Sequence, residues 1–280
     1  MSATPSRYSD LDRPPLNEGA LNRALVRPGS LWTGVEVVQA LGSTNTELLG
    51  RAREGAEAGR VLVTEHQTAG RGRLGRGFTT PARAALTFSV LVRPRAAADR
   101  LGWLPLAMGA AAVRACGFVA QVPPVLKWPN DVLAPSGGKL AGILAEADFS
   151  RGDPAVVVGM GLNVSQRRGE LPVDTATSLV LEGDPQGDRD PLLRAVLRAF
   201  AEVYRGWEEA GGDAERSGLA GEYRGYCATL GSRVRVHLPD GRLLEGRAEE
   251  VDADGRLVVR PDGGPPEAVG AGDVVHVRGG

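Results

Sequence analysis

Apolar and polar positions along the chain fall into two textures. From Leu31 to about Tyr226, runs of β-type residues, VEVVQAL, VLVTEHQT, ALTFSVLVRP and VVVGMGLNV, are bounded by Gly or Pro and alternate with helical patterns. That rhythm predicts a mixed α/β arrangement. Residues 104–117, LPLAMGAAAVRACG, are Ala-rich with a Pro near the start and a Gly at the end, which predicts a helix packed on the sheet. A second helix is predicted from Asp190 as N-cap, with Pro191 in its first turn. Its residues Leu193, Val196, Leu197, Phe200, Val203, Tyr204 and Trp207 share one face, and a stripe of this spacing is assigned to core packing.

After about Leu230 the texture changes to short alternating strands, RVRVHL, RLLEGRAEEV, RLVVRP and VVHVR. They are separated by turns at Asp240-Gly241, Asp254-Gly255 and Asp262-Gly263. The pattern predicts a small antiparallel barrel or sandwich. About 50 residues are marginal as an independent fold, so this part is expected to dock on the larger one. The division expected is a flexible tail over 1–20, a catalytic part over 21–228 and a small β part over 229–280. The tail reading rests on Pro5, Pro14 and Pro15 among Ser, Asp and Arg, with few apolar side chains to repay ordering. It is also too short for a helix-turn-helix module, so a DNA-binding repressor role is not expected.

Composition narrows the function classes. The 280 residues carry 33 Lys and Arg against 34 Asp and Glu, a formal net charge of -1, so no global basic field points to nucleic acid or membrane. Any anion site must be built locally. Two cysteines, Cys116 and Cys227, lie far apart, and with three scattered histidines they make no zinc spacing. No run is read as long and apolar enough to span a bilayer, and the N-terminus lacks the pattern of a signal peptide. A cytoplasmic protein without structural metal is expected.

The candidate chemistry begins with Gly70-Arg71-Gly72-Arg73-Leu74-Gly75-Arg76-Gly77-Phe78, directly after the run VLVTEHQT. Four glycines over residues 70–77 allow close backbone approach, and Arg71, Arg73 and Arg76 offer guanidinium forks suited to carboxylate and phosphate oxygens. A solvated basic loop or an arginine-glycine RNA contact has the same composition. A Walker loop is excluded, since nothing reads GxxxxGK[ST]. Further along lie Lys127-Trp128-Pro129-Asn130-Asp131-Val132 and the segment 137–146, GGKLAGILAE. Lys127 and Lys139 are the only lysines in the chain, where arginine otherwise supplies every cation. A lysine kept in such a chain suggests a need for a compact ammonium, though coding bias toward arginine has the same effect.

Taken together and in order, GRGRLGR, KWPNDV, GGKLAGILAE and VVVGMGLNV resemble the biotin–protein ligase family over nearly the whole chain, and Gly42-Ser43-Thr44-Asn45 and Gln67 match that family's biotin-contacting positions. The resemblance implies an α+β fold: a mixed-sheet catalytic domain of the biotin/lipoate ligase type with a small C-terminal SH3-like β-barrel. It implies formation of biotinyl-5′-AMP from biotin and ATP with Mg²⁺, then transfer of biotin to a lysine of a biotin carboxyl carrier protein or domain of a carboxylase. A monomer or weak homodimer without nucleic-acid or membrane partners is expected.

Carried over by position, the resemblance puts Ser43, Thr44, Asn45, Gln67, Gly70, Arg71, Gly72, Arg73 and Lys139 on biotin. Arg73, Arg76, Phe78, Trp128, Asn130, Lys139, Asn163 and Arg278 fall on ATP, with Arg73 and Lys139 catalytic and no metal-ligating set. Phe78 departs from the family, which commonly has a tryptophan there; a phenyl ring keeps a π face with less area. A carboxylate of ordinary pKa is already ionised at neutral pH, so the first step needs cations rather than a general base. Asp131 is either a helper in deprotonating the acceptor lysine or a turn-stabilising residue. A lipoate–protein ligase and a regulatory binding module are the alternatives.

Overall fold

The computed structural model describes residues 13–75, 77–270 and 272–277. Helix α1 (Glu18–Leu25) leads into strand β1 (Gly34–Val38), helix α2 (Thr44–Arg53) and strand β2 (Arg60–Thr64). A short hairpin, β3 (Gly70–Arg71) and β4 (Gly77–Phe78), precedes β5 (Ala85–Val92) and helix α3 (Trp103–Ala115). Four more strands follow, β6 (Val125–Lys127), β7 (Asp131–Leu133), β8 (Lys139–Asp148) and β9 (Ala155–Asn163), then helices α4 (Arg189–Glu209) and α5 (Leu219–Tyr226). The C-terminal strands are β10 (Arg233–His237), β11 (Leu243–Val251), β12 (Leu257–Arg260), β13 (Glu267–Val269) and β14 (Asp273–His276).

The larger sheet has seven strands in the order β1-β2-β5-β9-β8-β7-β6; β1 and β2 are parallel and the other neighbours antiparallel. Its central strands read as continuous apolar runs because both faces are covered over most of their length. Leu86, Phe88, Val90 and Val92 of β5 join Val156, Val158, Met160 and Leu162 of β9 in the main core with α3 and α4. The opposite face begins as a smaller core, where Leu91 and Val157 meet Leu48 and Ala52 of α2. Beyond the end of α2 this second face loses its apolar cover, and there the strands change character to Thr87 and Ser89, and to Gly159, Gly161 and Asn163.

Helix α4 begins one residue before the expected cap, with Asp188 rather than Asp190 as N-cap: its carboxylate accepts from the Asp190 N–H at 3.0 Å. The apolar stripe from Leu193 to Trp207 is buried as expected. Helix α3 continues through a π turn at Cys116–Ala120, and the whole helical stretch 98–120 is long and apolar enough, by length and composition, to cross a membrane. This corrects the expectation that no such run exists. The stretch is mostly buried, as a core helix is.

The C-terminal strands form a second, antiparallel sheet in the order β13-β12-β11-β10-β14, consistent with a small SH3-like barrel. Alternation does the work here: Val234, Val236, Leu257 and Val259 point inward while Arg233, Arg235 and Arg260 stay outside. The docking is specific. Trp103 Nε1 donates to Ala253 O at 2.9 Å and Trp128 Nε1 to Gly255 O at 3.0 Å, so two indoles of the larger unit grip one turn of the smaller. Gly102 has to be glycine at this contact, since a Cβ would lie 2.3 Å from Asp254 O.

Residues 13–20 do not follow the tail reading. Arg13 donates to Glu170 at 2.5 Å and to Ser165 O at 2.8 Å, and Arg189 donates to Pro14 O at 2.7 Å. Leu16 is buried with its N–H on Glu65 at 2.6 Å, and Asn17 caps α1. The anchor is the buried ion pair Glu65–Arg189, 2.5 Å, whose remaining hydrogen-bonding capacity is met by this segment. Partners so far away in sequence leave no trace in local composition. The rest of the expected tail, 1–12, lies outside the described residues.

Candidate active site

The uncovered part of the second sheet face is the floor of a cleft of about 1020 Å³. Its floor is cut by omission of side chains. Gly159 faces Ser89 and Leu144 across the sheet, and Gly161 faces Thr87 and Gly142. A Cβ on Gly159 would stand 2.0 Å from Asn45 Oδ1, and one on Gly161 would stand 2.5 Å from the Phe78 ring.

At one end the N-terminus of α2 enters the cleft. Ser43 caps the helix, its hydroxyl accepting from the Thr46 N–H at 3.4 Å, and this cap places Thr44 and Asn45 at the edge of the floor. Thr44 N–H donates to Gln67 Oε1 at 3.0 Å. Asn45 gives both amide hydrogens away, to Leu144 O at 3.0 Å and to Glu146 Oε2 at 2.9 Å. Its Oδ1 accepts from the Ser89 hydroxyl at 2.6 Å, and that hydroxyl also stands 2.7 Å from Thr44 Oγ1. Ser43, Thr44, Asn45, Gln67 and Ser89 are all buried. With these bonds made, Asn45 can offer a ligand its Oδ1 and Gln67 its amide hydrogens.

The Gly-Arg segment is the hairpin β3–β4 across the mouth, with a turn of 3₁₀ helix at Arg73–Gly75. Arg71, Gly72, Arg73 and Phe78 line the cleft. Gly70 stands behind them: a Cβ there would meet Phe78 O at 2.1 Å and Gln67 Nε2 at 2.5 Å, so glycine lets the hairpin close against Gln67. Arg71 Nη1 lies 4.0 Å from Glu146, and Arg73 Nη1 donates to Asn130 Oδ1 at 3.3 Å. The position of Arg76 lies outside the described residues.

The other end is cationic. Lys139, at the start of β8, pairs with Asp131 at 2.5 Å, and Lys127 lies on the same wall. Asn130 is clamped to Ile143 by both its side chain, donating at 3.0 Å, and its main-chain carbonyl, accepting at 2.9 Å. Asn163 also lines the cleft, while its amide holds the 166–177 segment through Gln166 at 2.8 Å and Thr177 O at 3.0 Å. The C-terminal unit closes this end with Asp273, Val275 and His276 of β14. Arg278, two residues on, lies outside the described residues.

The cleft thus brings together residues separated by more than a hundred positions in sequence. Trp128 stands elsewhere: it is 1% exposed, turned into the interface with the C-terminal unit, and does not line the cleft. An indole N–H needs a buried acceptor, and Gly255 O supplies it. Sequence reasoning missed Ser89, and gave no role to Glu146 or the floor glycines although they stand within GGKLAGILAE and VVVGMGLNV. The available signal was two hydroxyl residues, Thr87 and Ser89, spaced by two inside an otherwise apolar strand, opposite two glycines with the same spacing.

Residues 37–163 match the Biotin/lipoate A/B protein ligase family, and residues 229–277 match the Biotin protein ligase C terminal domain. The chain is 46% identical over 271 residues to a biotin–[acetyl-CoA-carboxylase] ligase of Mycobacterium tuberculosis, covering 95% of this chain and 97% of the relative. Among solved structures it is similar to the biotin protein ligase from Aquifex aeolicus in complex with biotin and ATP, with a TM-score of 0.72 and 26% identity over 89% of this chain and 100% of that one. The corresponding structure from Leishmania major in complex with biotinyl-5-AMP gives a TM-score of 0.55 and 25% identity over 85% of this chain and 98% of that one.

Proposed function

The chain belongs to the biotin–protein ligase family, which joins biotin to a carboxylase at the expense of ATP, and we propose that this cleft serves both halves of that reaction. The observation that carries the residue assignment is the division of polarity along the cleft. Buried uncharged hydrogen-bonding groups, Ser43, Thr44, Asn45, Gln67 and Ser89, cluster at one end, and Arg73, Lys127 and Lys139 at the other. Biotin has the same division, a neutral ureido ring at one end and a carboxylate at the other. Asn45 Oδ1 suits a ureido N–H, and the amide hydrogens of Gln67 suit the ureido carbonyl. A dithiolane ring would leave these buried groups unpaired, which favours biotin over lipoate.

In the first step an oxygen of the biotin carboxylate attacks the α-phosphorus of ATP, and pyrophosphate leaves. No proton is removed, so the demand on the protein is electrostatic. Arg73, fixed by Asn130, and Lys139, fixed by Asp131, bring preorganised positive charge to the two approaching anions. Asn130, Asn163 and Phe78 line the cleft and are assigned to the nucleotide, the Phe78 ring lying so close to Gly161 that a side chain there would meet it. Mg²⁺ would enter as a companion of the triphosphate, and Asp131, paired with Lys139, is a carboxylate that lines this part of the cleft. When bound, the ion neutralises phosphate charge.

In the second step the amine of an acceptor lysine attacks the carbonyl carbon of the mixed anhydride, and AMP leaves. The acceptor proposed is the carrier domain of a biotin-dependent carboxylase, as the family's reaction implies. Asp131 is committed to Lys139, which supports a role in holding that ammonium rather than in deprotonating the acceptor. The proposed working division falls at 228/229, with residues from Arg13 onward belonging to the larger part and the cleft drawing on both. A reducing, cytoplasmic setting accords with Cys116 and Cys227, both buried and unbridged; burial, and then the charge of Asp184, pushes the Cys116 thiol up to about 12.

The test is incubation with ATP, Mg²⁺ and either biotin or lipoate, followed by addition of a carrier domain. Biotinyl-adenylate with pyrophosphate, then a biotinylated lysine, is the expected result. Adenylation of lipoate at a comparable rate would overturn the assignment of the polar end, and biotin binding without adenylate would leave a regulatory binder.

A further inference from the structure

The turn that presents Asn130 and Asp131 to the cationic end is held from behind by the C-terminal unit. Trp128, one residue before Pro129, is fixed at two atoms. Its indole donates to Gly255 O at 3.0 Å, and its main-chain N–H donates to Thr229 Oγ1 at 3.0 Å. Thr229 is fully buried and opens the C-terminal unit; the chain just before it runs beside β6, with Ala228 N–H on Leu126 O at 2.8 Å. The same hydroxyl stands 3.0 Å from His276 Nε2, on the strand that lines the cleft. Its oxygen takes the Trp128 N–H, so its own proton is free to go to the imidazole.

We infer that Thr229 and His276 are positioning residues for the proposed reaction: through Trp128 they set the turn that carries Asn130 and Asp131, making nucleotide binding depend on the C-terminal unit. Among the described residues the biotin end is held without the C-terminal unit, Asn45, Gln67 and Ser89 being bonded within α2, β5 and β8. The relay requires a neutral His276 with its proton on Nδ1. A protonated ring would place two donors on the Thr229 oxygen and leave the buried hydroxyl proton without an acceptor. Desolvation, and then the positive charge of Lys127 on β6, hold His276 toward its neutral form.

The inference rests on the assignment of the cationic end to ATP, and binding rather than turnover is the measurement that keeps the two apart. Calorimetry on the full chain would give the affinity for a non-hydrolysable ATP analogue with biotin present, and for biotin alone. Thr229→Val and His276→Leu each remove a buried hydrogen bond, so the analogue should bind about tenfold more weakly. Biotin affinity should stay within about twofold, and Thr229→Ser and His276→Gln, which keep a hydroxyl and an acceptor in place, should recover most of the loss. His276 is only partly buried, so its variants remain informative if Thr229→Val does not fold. Unchanged analogue affinity in His276→Leu, or equal losses for analogue and biotin, would overturn the relay. A wild-type protein that binds the analogue but forms no biotinyl-adenylate would instead count against the proposed reaction.

Discussion

Lys139 Nζ sits 2.5 Å from Asp131 Oδ1 at the cationic end of the cleft, one of two lysines in a chain that otherwise uses arginine. The pair is partly open to solvent, so its worth lies in aim more than in stability. The carboxylate fixes where the ammonium points, and the compact ammonium leaves room for two anions to meet beside it. Lys139→Ala should lower single-turnover pyrophosphate release by about two to three orders of magnitude, as loss of a preorganised contact to developing charge does. Lys139→Arg should recover little, because the planar fork cannot occupy the same place against Asp131. Rates within a few-fold of wild type in either variant would remove Lys139 from the catalytic assignment.

The floor glycines give a sharper steric test. In Gly159→Ala the added carbon would stand 2.0 Å from Asn45 Oδ1, a separation the structure must relieve by moving that amide. Asn45 cannot move and keep its bonds to Leu144, Glu146 and Ser89. Biotin affinity should fall by about tenfold or more, the cost of one buried polar mismatch. Isothermal titration with biotin alone would show it; wild-type affinity would mean that Asn45 does not contact the ligand.

Trp128 makes a prediction about stability. Trp128→Phe keeps most of the buried ring but removes the donor to Gly255 O, leaving that carbonyl without its partner. A loss on the order of 1–2 kcal/mol is expected in denaturant unfolding. Trp103→Phe should lose a similar amount at Ala253 O, and the double variant more than the sum, because both indoles hold the same turn.

The pH dependence follows from His276. Its folded-state pKa is held below the ordinary value of 6.5 by desolvation and by Lys127, so the unfolded chain binds its proton more readily. Stability from this residue is present above about 6.5 and is lost as pH falls from there through the lowered folded value. Besides Lys127 on β6, Asp273 is the charged residue of the same strand. His276→Gln should flatten the stability profile over that window relative to wild type, measured by denaturant midpoints at stepped pH. An identical slope in both proteins would contradict the assignment.

How much could be read beforehand depended on whether a residue's partners were local. Strands β1, β2, β5, β9, β10, β11, β12 and β14, the α4 stripe and the three Asp-Gly turns follow from spacing, whereas β6, β7 and β8 lie in segments legible only as motifs; Ser43, Thr44 and Asn45 were assigned by resemblance, and the structure sets them at a helix start on the edge of the cleft. Trp128 was misplaced because membership in a motif does not say which way a side chain turns; its acceptor lies 127 residues on. Ser89 was overlooked because its role appears only when α2 brings Asn45 against it, 44 residues away in sequence. Arg13, Pro14 and Leu16 looked unstructured for the same reason, their partners being Glu65, Ser165, Glu170 and Arg189.

Strand β9 serves two masters in alternation. Val156, Val158, Met160 and Leu162 belong to the main core, Met160 also reaching the cleft lining between its neighbours, whereas Gly159, Gly161 and Asn163 look into the cleft. Neighbouring residues on one strand are therefore under unrelated constraints. Substitution at 156, 158, 160 or 162 would show itself as poor folding, and at 159, 161 or 163 as a well-folded protein with an altered appetite for ligand. Evolution can retune the pocket along this strand without touching its foundation, provided that it moves in steps of two.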